Sequence, residues 1–254
     1  MIEKVQKYQF LFSELVKRDF KQKYKRTSLG MMWSILSPLL ELLVMRLVFT
    51  VFFSRDVPHY TTYLFSGLLA FNYFRESTKG GMTSLMANAK IFTKVNVPKY
   101  LFLLSKNVSA LINFGLTLII YFVFCIIDGV SLSPRILELI FPILCLMVFN
   151  IGVGMILSAL FVFFRDIQYL YDVFLTLLRY LSAIFYTTDR FKEFEPLFML
   201  NPIFVYIKYF RMVMMDHVVP SLNYHLLCLL YAAVVMGIGC WIYKKYNHQF
   251  LYYV

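Results

Sequence analysis

The sequence predicts an all-α integral membrane protein. It has six transmembrane helices, a cytoplasmic amphipathic interface helix at the N-terminus, and re-entrant outer helices between spans five and six. Three observations lead there. Apolar residues make up 60% of the 254 and charged residues 15%, with a mean hydropathy of +0.68. That is more apolar surface than one soluble core of this length can hide. Apolar runs of roughly 20 residues, the length a spanning helix needs, recur along the chain. Lys and Arg crowd every second connection, the bias that orients membrane proteins.

The chain opens on a basic segment holding Lys4, Lys7, Lys17, Arg18, Lys21, Lys23, Lys25 and Arg26 against Glu3, Glu14 and Asp19. No run in it is long enough to span, and it has no cleavage site of the kind that marks a signal peptide. Phe10, Leu11, Phe12, Leu15, Val16 and Phe20 recur at spacings that make one helical face. A basic helix of that kind lies along the cytoplasmic interface, its apolar side in lipid and its cations over anionic headgroups.

Six spans follow, at about 29–53, 61–85, 101–127, 136–164, 167–186 and 223–243. The second carries Arg75, Glu76 and Lys79 toward its end, where long side chains reach the interface. The connection after it holds Lys90, Lys94, Lys99 and Lys106 without an acid, and the tail holds Lys244 and Lys245. The connections 54–60, 128–135 and 187–221 are near balance. Both termini are therefore expected in the cytoplasm. Within "MANAKIFTKVNVPKY" (86–100), Pro98 is placed to end a short cytoplasmic helix. In the outer segment, Asn201-Pro202 leaves 13 residues before Asp216, a length suited to a re-entrant or interfacial helix.

Four ionisable residues fall deep in spans: Glu41 and Arg46 in the first, Asp172 and Arg179 in the fifth. Each costs about 2.5–3.5 kcal/mol on insertion scales unless it finds a partner or a polar cavity. At a rise of ~1.5 Å per residue, Glu41 and Arg179 lie at matching depths to within about a turn. Either the two pair, within one protomer or across a dimer, or each reaches the interface or a watery lumen separately. Asp172 and Arg179, seven residues apart, share one helix face.

No phosphate-binding Gly-rich loop, catalytic carboxylate pair, Ser/His/Asp set or zinc motif is present, so the chain offers no enzyme site. The four Cys and four His are scattered without metal-ligand spacing. Gly152 with Gly154, and Gly237 with Gly239, sit in spans as small-residue pairs that let helices approach. The net charge of +11 is explained by the cytoplasmic cations and does not indicate nucleic acid.

Four stretches stand out together: "RDFKQKYKRTSLGMMWSILSPLL" (18–40), "NAKIFTKVNVPKYLFLLS" (88–105), "FFRDIQYL" (163–170) and "LNPIFVYIKYFR" (200–211). In this order the chain resembles the permease subunit of ABC-2-type exporters. It is most similar to the group that exports lipid-linked polysaccharides (O-antigen and teichoic acid exporters). The resemblance covers nearly the whole chain and implies one domain over 1–254. Within it, 1–28 is the interfacial helix, 29–186 the first five spans with a coupling loop at 86–98, 187–221 the outer re-entrant segment, and 222–254 the last span and tail.

The resemblance further implies a homodimer with a central channel in the bacterial cytoplasmic (inner) membrane, served by two copies of a separate ABC ATPase. That subunit would bind ATP and Mg, and this chain would need no cofactor. Asn88, Lys90, Lys94 and Pro98 match the coupling positions. Arg18, Lys21, Lys25 and Arg26 fall at the cytoplasmic interface, with Arg165 and Asp166 at the turn near the gate. Glu41, Arg46, Asp172 and Arg179 would be the charges of the channel region. Tyr169, Tyr171, Tyr180, Phe185 and Tyr186 on span five are candidate surfaces for sugar rings to slide over. Glu41 and Arg46 depart from a family whose first span is expected to be more uniformly apolar. An ABC-2 permease for a drug or simple lipid is the nearest alternative, and an ion-coupled secondary transporter a more distant one.

Overall fold

The structure, a computed structural model, describes residues 2–25, 27–53, 58–95, 97–188 and 193–253. Ten α-helices occur among them, and no strand. They are α1 (Ile2–Tyr24), α2 (Trp33–Phe53), α3 (Tyr60–Ala87), α4 (Ala89–Phe92), α5 (Tyr100–Ile127), α6 (Ile140–Phe163), α7 (Ile167–Leu181), α8 (Glu195–Met199), α9 (Pro202–Met214) and α10 (Leu222–Tyr246). Short 3-10 turns at Gly30–Met32, Pro134–Leu139 and Gln249–Leu251 complete them.

Among the described residues, four segments are long and apolar enough to cross a membrane: Gly30–Val48, Tyr100–Ile127, Pro134–Phe163 and Leu222–Tyr246. The other two expected spans are also helices. With 28 residues, α3 is ~42 Å long, though it carries the charges at 75, 76 and 79. The 15 residues of α7 reach only ~22 Å.

Helix ends follow local chemistry. Gly129, at φ +78°, turns the chain out of α5. The Asn201 side chain accepts from the Ile203 N–H, and Pro202 opens α9 where its missing N–H does no harm. α7 stops at Leu181 because Ala183 takes a left-handed φ of +49°, so Phe185 and Tyr186 leave the helix expected to run to 186. Apolar composition continues through 182–186 and hides that break.

α3 is the centre of the bundle, packed by α5, α6 and α9, with α10 laid along α6. The α6–α10 crossing depends on missing side chains. A Cβ at Gly152 would stand 2.7 Å from the backbone of Val235 and Met236, and one at Gly239 2.8 Å from the Gly152 carbonyl. Gly154 does the same work against Gly81 of α3, whose Cβ would lie 3.0 Å from the Gly154 Cα. Gly237 faces open space and takes no part in a crossing. The expectation from the two glycine pairs therefore holds for three of the four residues.

α1 differs from the expected lipid-facing helix. Leu15 is 3% exposed in an apolar cluster with Leu85, Phe92, Phe102, Met155 and Phe250, and Leu11 and Phe12 pack against that cluster. Only Phe10 of the proposed apolar face stands well out, at 69%. Packing on α5 gives α1 a protein surface to bury against. Its cations still point outward, with Lys17, Lys21, Lys23 and Lys25 exposed.

Candidate functional site

At one end of the bundle a buried carboxylate ties α1 to α5. Asp19 of α1 has a side chain 1% exposed and receives Arg18 at 2.9 Å, Lys106 of α5 at 3.0 Å and the Ser105 hydroxyl at 2.9 Å. Two cations and a donated hydroxyl make such a burial tolerable. The same Arg18 Nη2 donates to Asn88 Oδ1 at 2.7 Å, and Asn88 Nδ2 donates back to the Ser84 carbonyl at 2.8 Å. Asn88 stands at the start of α4, so the interface helix and the short helix after α3 are joined directly.

That short helix has two sides. Phe92 is buried in the cluster that also holds Leu15, while Lys90, Thr93, Lys94 and Val95 are exposed. It is a single turn of four residues rather than a helix filling 86–98, because Asn88 interrupts α3 and the chain turns from Thr93 toward Pro98. Pro98 precedes Lys99, whose ammonium donates to the Asn247 carbonyl and lies 5.9 and 5.7 Å from the Phe92 and Phe250 ring centroids. Burial lowers the Lys99 pKa from the ordinary lysine value. The tail is thereby fastened to the same unit. Arg165 and Asp166 are exposed in the turn between α6 and α7, and Phe163 just before them packs on Tyr246, Phe250 and Tyr253. Arg26 lies outside the described residues.

Further along the bundle, Glu41 of α2 and Arg179 of α7 are ion-paired within one chain, and Asn72 of α3 donates to the second Glu41 oxygen at 2.7 Å. Asp172 pairs with Lys79 of α3 at 2.6 Å rather than with its own helix neighbour. Arg46 is exposed, with no ion-pair partner among the described residues. A crevice of about 410 Å³ lies between α2, α3 and α5. Its polar lining comes at helical spacing from each: Ser34, Ser37 and Glu41; Asn72 and Glu76; Asn113 and Thr117. Lys23 and Asn113 both donate to Glu76 Oε1, at 2.8 and 2.6 Å. A second cavity of about 500 Å³, lined by Arg18, Lys23, Glu76 and Lys106, continues it toward Asp19.

The aromatics divide. Tyr169 and Tyr180 are 67% and 56% exposed on α7 and present surfaces. Tyr171 and Phe185 are core residues instead. Tyr171 donates to Thr78 Oγ1 at 2.6 Å, and Phe185 packs beside Tyr180. Tyr186 is half-buried and donates to the Tyr180 carbonyl.

Three participants escaped the sequence reading. In the sequence Asp19 reads as an acid offsetting a basic segment, although it sits four residues after Leu15 on the buried face. Asn72 carries no charge and gave no signal within its apolar run. Arg211 closes the stretch 200–211, and nothing in that stretch marks it as buried. It is 7% exposed, and all five of its N–H groups have acceptors: Ser66 Oγ, Tyr63 Oη, and the carbonyls of Tyr63, Ala183 and Ile184. No carboxylate lies within ion-pair distance among the described residues.

The family model of the ABC-2 type transporter matches residues 10–215. The chain belongs to that family. It is a multi-pass membrane protein and a permease, and the matched region takes in the Asp19 network, α4, the crevice and Arg211. The match stops just past α9, leaving α10 outside it. Among curated relatives, two proteins from Klebsiella pneumoniae called "O-antigen export system permease protein RfbA" are each 29% identical over 249 residues, 95% of both chains. One of the same name from Myxococcus xanthus is 28% identical over 226 residues, 87% of this chain and 86% of its own.

Proposed function

We propose that this ABC-2 permease forms the channel of an exporter that moves a lipid-linked polysaccharide, such as an O-antigen or teichoic acid, across the bacterial cytoplasmic membrane. The observation that carries this reading is the end-to-end correspondence with O-antigen export permeases, over 95% of both chains. A drug or simple-lipid permease has no such counterpart among those relatives.

In this reading two copies assemble around the path, and two copies of an ABC ATPase supply ATP hydrolysis. α3 and α7 act as the second and fifth spans, both termini face the cytoplasm, α1 lies at the interface, and α8 and α9 re-enter at the outer mouth. The charges of α3 fall in the half of that helix leading to α4, near water, and both charges of α7 are paired, which offsets the cost of placing them in lipid. The homodimer finds support in the faces that one chain leaves uncovered. On α2, Leu43 and Leu47 are 60% and 72% exposed, and on α7, Leu170 and Val173 are 67% and 71% exposed. α4 and the turn after it offer the ATPase two exposed lysines, Lys90 and Lys94, beside the buried Phe92. A push there reaches α1 through Asn88 and Arg18, so one contact can move the interface helix as well.

Depletion of the protein in its own cell, followed by analysis of lipid-linked glycans on the cytoplasmic leaflet, tests the reading. Accumulation of one polymer supports it and names the substrate. Unchanged lipid-linked glycans with intact surface polysaccharide would refute it in favour of the drug or small-lipid permease.

A further inference from the structure

Beyond α10 the chain folds back on the bundle. The 3-10 turn Gln249–Leu251 sets Phe250, 0% exposed, into the apolar cluster that holds Leu15 and Phe92. Phe250 has a neighbour on each of two separate elements. One is Lys99 at the start of α5, whose ammonium lies 5.7 Å from the Phe250 centroid and 5.9 Å from that of Phe92 in α4. The other is Phe163, the last residue of α6, whose ring lies 6.1 Å from Phe250 and 5.0 Å from Tyr253. Tyr243 of α10 packs on Phe250 at 5.4 Å, and its hydroxyl lies 2.6 Å from Ser158 Oγ of α6. The segment is therefore anchored to the α6–α10 pair as well.

Lys99 marks this docking as more than packing. It is 8% exposed and stands at the N-terminal end of α5, where the helix dipole disfavours a cation. A buried ammonium in such a place needs acceptors. Among the described residues both belong to Asn247: its carbonyl, and its Oδ1 at 3.3 Å. Asn247 closes α10, so the ammonium meets a helix C-terminus, whose unpaired carbonyls and dipole favour positive charge. One cation thus fastens the link between α4 and α5 to the end of α10, and Phe250 carries the contact on to the end of α6. The exposed turn with Arg165 and Asp166 follows directly, and then α7.

We propose that residues 247–253 are a brace between α4 and the α6–α7 turn, and that Lys99 and Phe250 are positioning residues through which a displacement of α4 reaches the start of α7. The proposal rests on the exporter reading for the ATPase that would displace α4. Close-packed side chains pass a displacement on instead of absorbing it. With the brace docked, the start of α5, the segment after α10 and Phe163 move with α4 as one body. Without it, α4 keeps its tie to α1 through Asn88 and Arg18 but loses the route that enters α7 from the α6–α7 turn.

The test uses the permease–ATPase complex in proteoliposomes loaded with the lipid-linked glycan pool extracted from the cell, and reads two quantities. One is glycan exported per ATP hydrolysed. The other is the distance distribution between spin labels at Val95→Cys and Phe164→Cys, both exposed positions, in a Cys240→Ser background that removes the exposed native thiol. In the otherwise unaltered chain one narrow distance is expected with and without ATP. Phe250→Ala is expected to broaden it and to lower export per ATP at least about tenfold, because truncating a buried Phe releases most of the docked segment. Phe250→Leu keeps apolar bulk and is expected to stay within about twofold of wild type. Lys99→Met keeps the buried stem, removes the donor and is expected to fall between the two. A merely structural segment would reduce the amount of complex and leave both quantities, measured per complex, as in wild type. That result from an assembled Phe250→Ala variant would overturn the proposal, and Lys99→Met decides the matter where Phe250→Ala fails to assemble. Failure of the wild-type complex to export glycan would refute the exporter reading alone, because the label distances still report the brace.

Discussion

Reversing the Glu41–Arg179 pair tests why charge lies inside this bundle. The two side chains are 22% and 19% exposed, so neither is a surface ion pair worth a fraction of a kcal/mol. Reversing one member, by Glu41→Arg or Arg179→Glu, leaves two like charges together in a setting bounded by lipid. For a buried pair broken on one side the loss is about 3–5 kcal/mol, and partial exposure places this case near 3. The double reversal restores opposite signs. It also finds a ready acceptor: Asn72 now donates to Glu41, while its Oδ1 is buried without a partner. Turning that amide over presents the oxygen to an arginine introduced at 41, so the double variant should lie within about 1 kcal/mol of wild type. Unfolding in mixed micelles, followed by tryptophan fluorescence, gives the cycle. Trp33, one of two tryptophans, lines the same crevice as Glu41 and reports locally. A coupling energy of at least about 3 kcal/mol is expected, whereas penalties that add to within about 0.5 kcal/mol would refute the pairing as a source of stability.

Asp19→Asn should cost about 2–3 kcal/mol, since the cations it leaves, Arg18 and Lys106, are partly exposed, and should expose α1 to protease in membrane vesicles at concentrations that spare wild type. Gly152→Ala should destabilise by about 1–3 kcal/mol, since backbone of α10 must retreat from 2.7 Å, while Gly237→Ala should gain about 0.5–1 kcal/mol of helix propensity; parallel unfolding curves check both. Lys90→Glu with Lys94→Glu should leave the fold within about 0.5 kcal/mol of wild type yet weaken co-purification of the ATPase, the more so at low salt, where the lost attraction is least screened.

What could be read without coordinates was whatever local composition decides. The apolar runs at 61–85, 101–127 and 223–243 became Tyr60–Ala87, Tyr100–Ile127 and Leu222–Tyr246, because run length and flanking polar residues set where a helix starts and stops. The meeting of Glu41 and Arg179 was legible for a similar reason, since depth along a helix follows from counting residues. The end of α7 was not. Ser182 to Tyr186 reads as more helix, and only donors at 60, 63 and 211 make the alternative backbone affordable. Asp19 stayed hidden because its meaning comes from Lys106, on a helix 87 positions away. Sequence showed which charges were costly but not which neutral side chains would cap a carbonyl, and the break after α7 is built from the latter.

The way α7 is held gives the intramembrane charges a reason beyond registration. Of its apolar residues only Tyr171, Leu175 and Leu178 are buried, while Leu170, Val173, Phe174, Leu177 and Leu181 are exposed. In lipid, moreover, apolar contact supplies no hydrophobic drive for one helix to stay beside another. What fixes α7 is therefore polar and spaced along its length: Lys79–Asp172 near its start, Tyr171 to Thr78 beside it, Glu41–Arg179 two turns on, and the capped carbonyls just past its end. Polar tethers differ from an apolar seam in one respect that matters for transport. Each is a discrete bond with few alternatives, so a helix held by several of them rests in a defined position and leaves it by exchanging particular partners. α3 carries Lys79, Thr78, Tyr60 and Tyr63, and it leads into α4 at Asn88. On the proposed coupling, a displacement of α4 by an ATPase would act on the same helix that holds α7 through Lys79–Asp172 and Thr78–Tyr171, and would be read as an exchange of those partners.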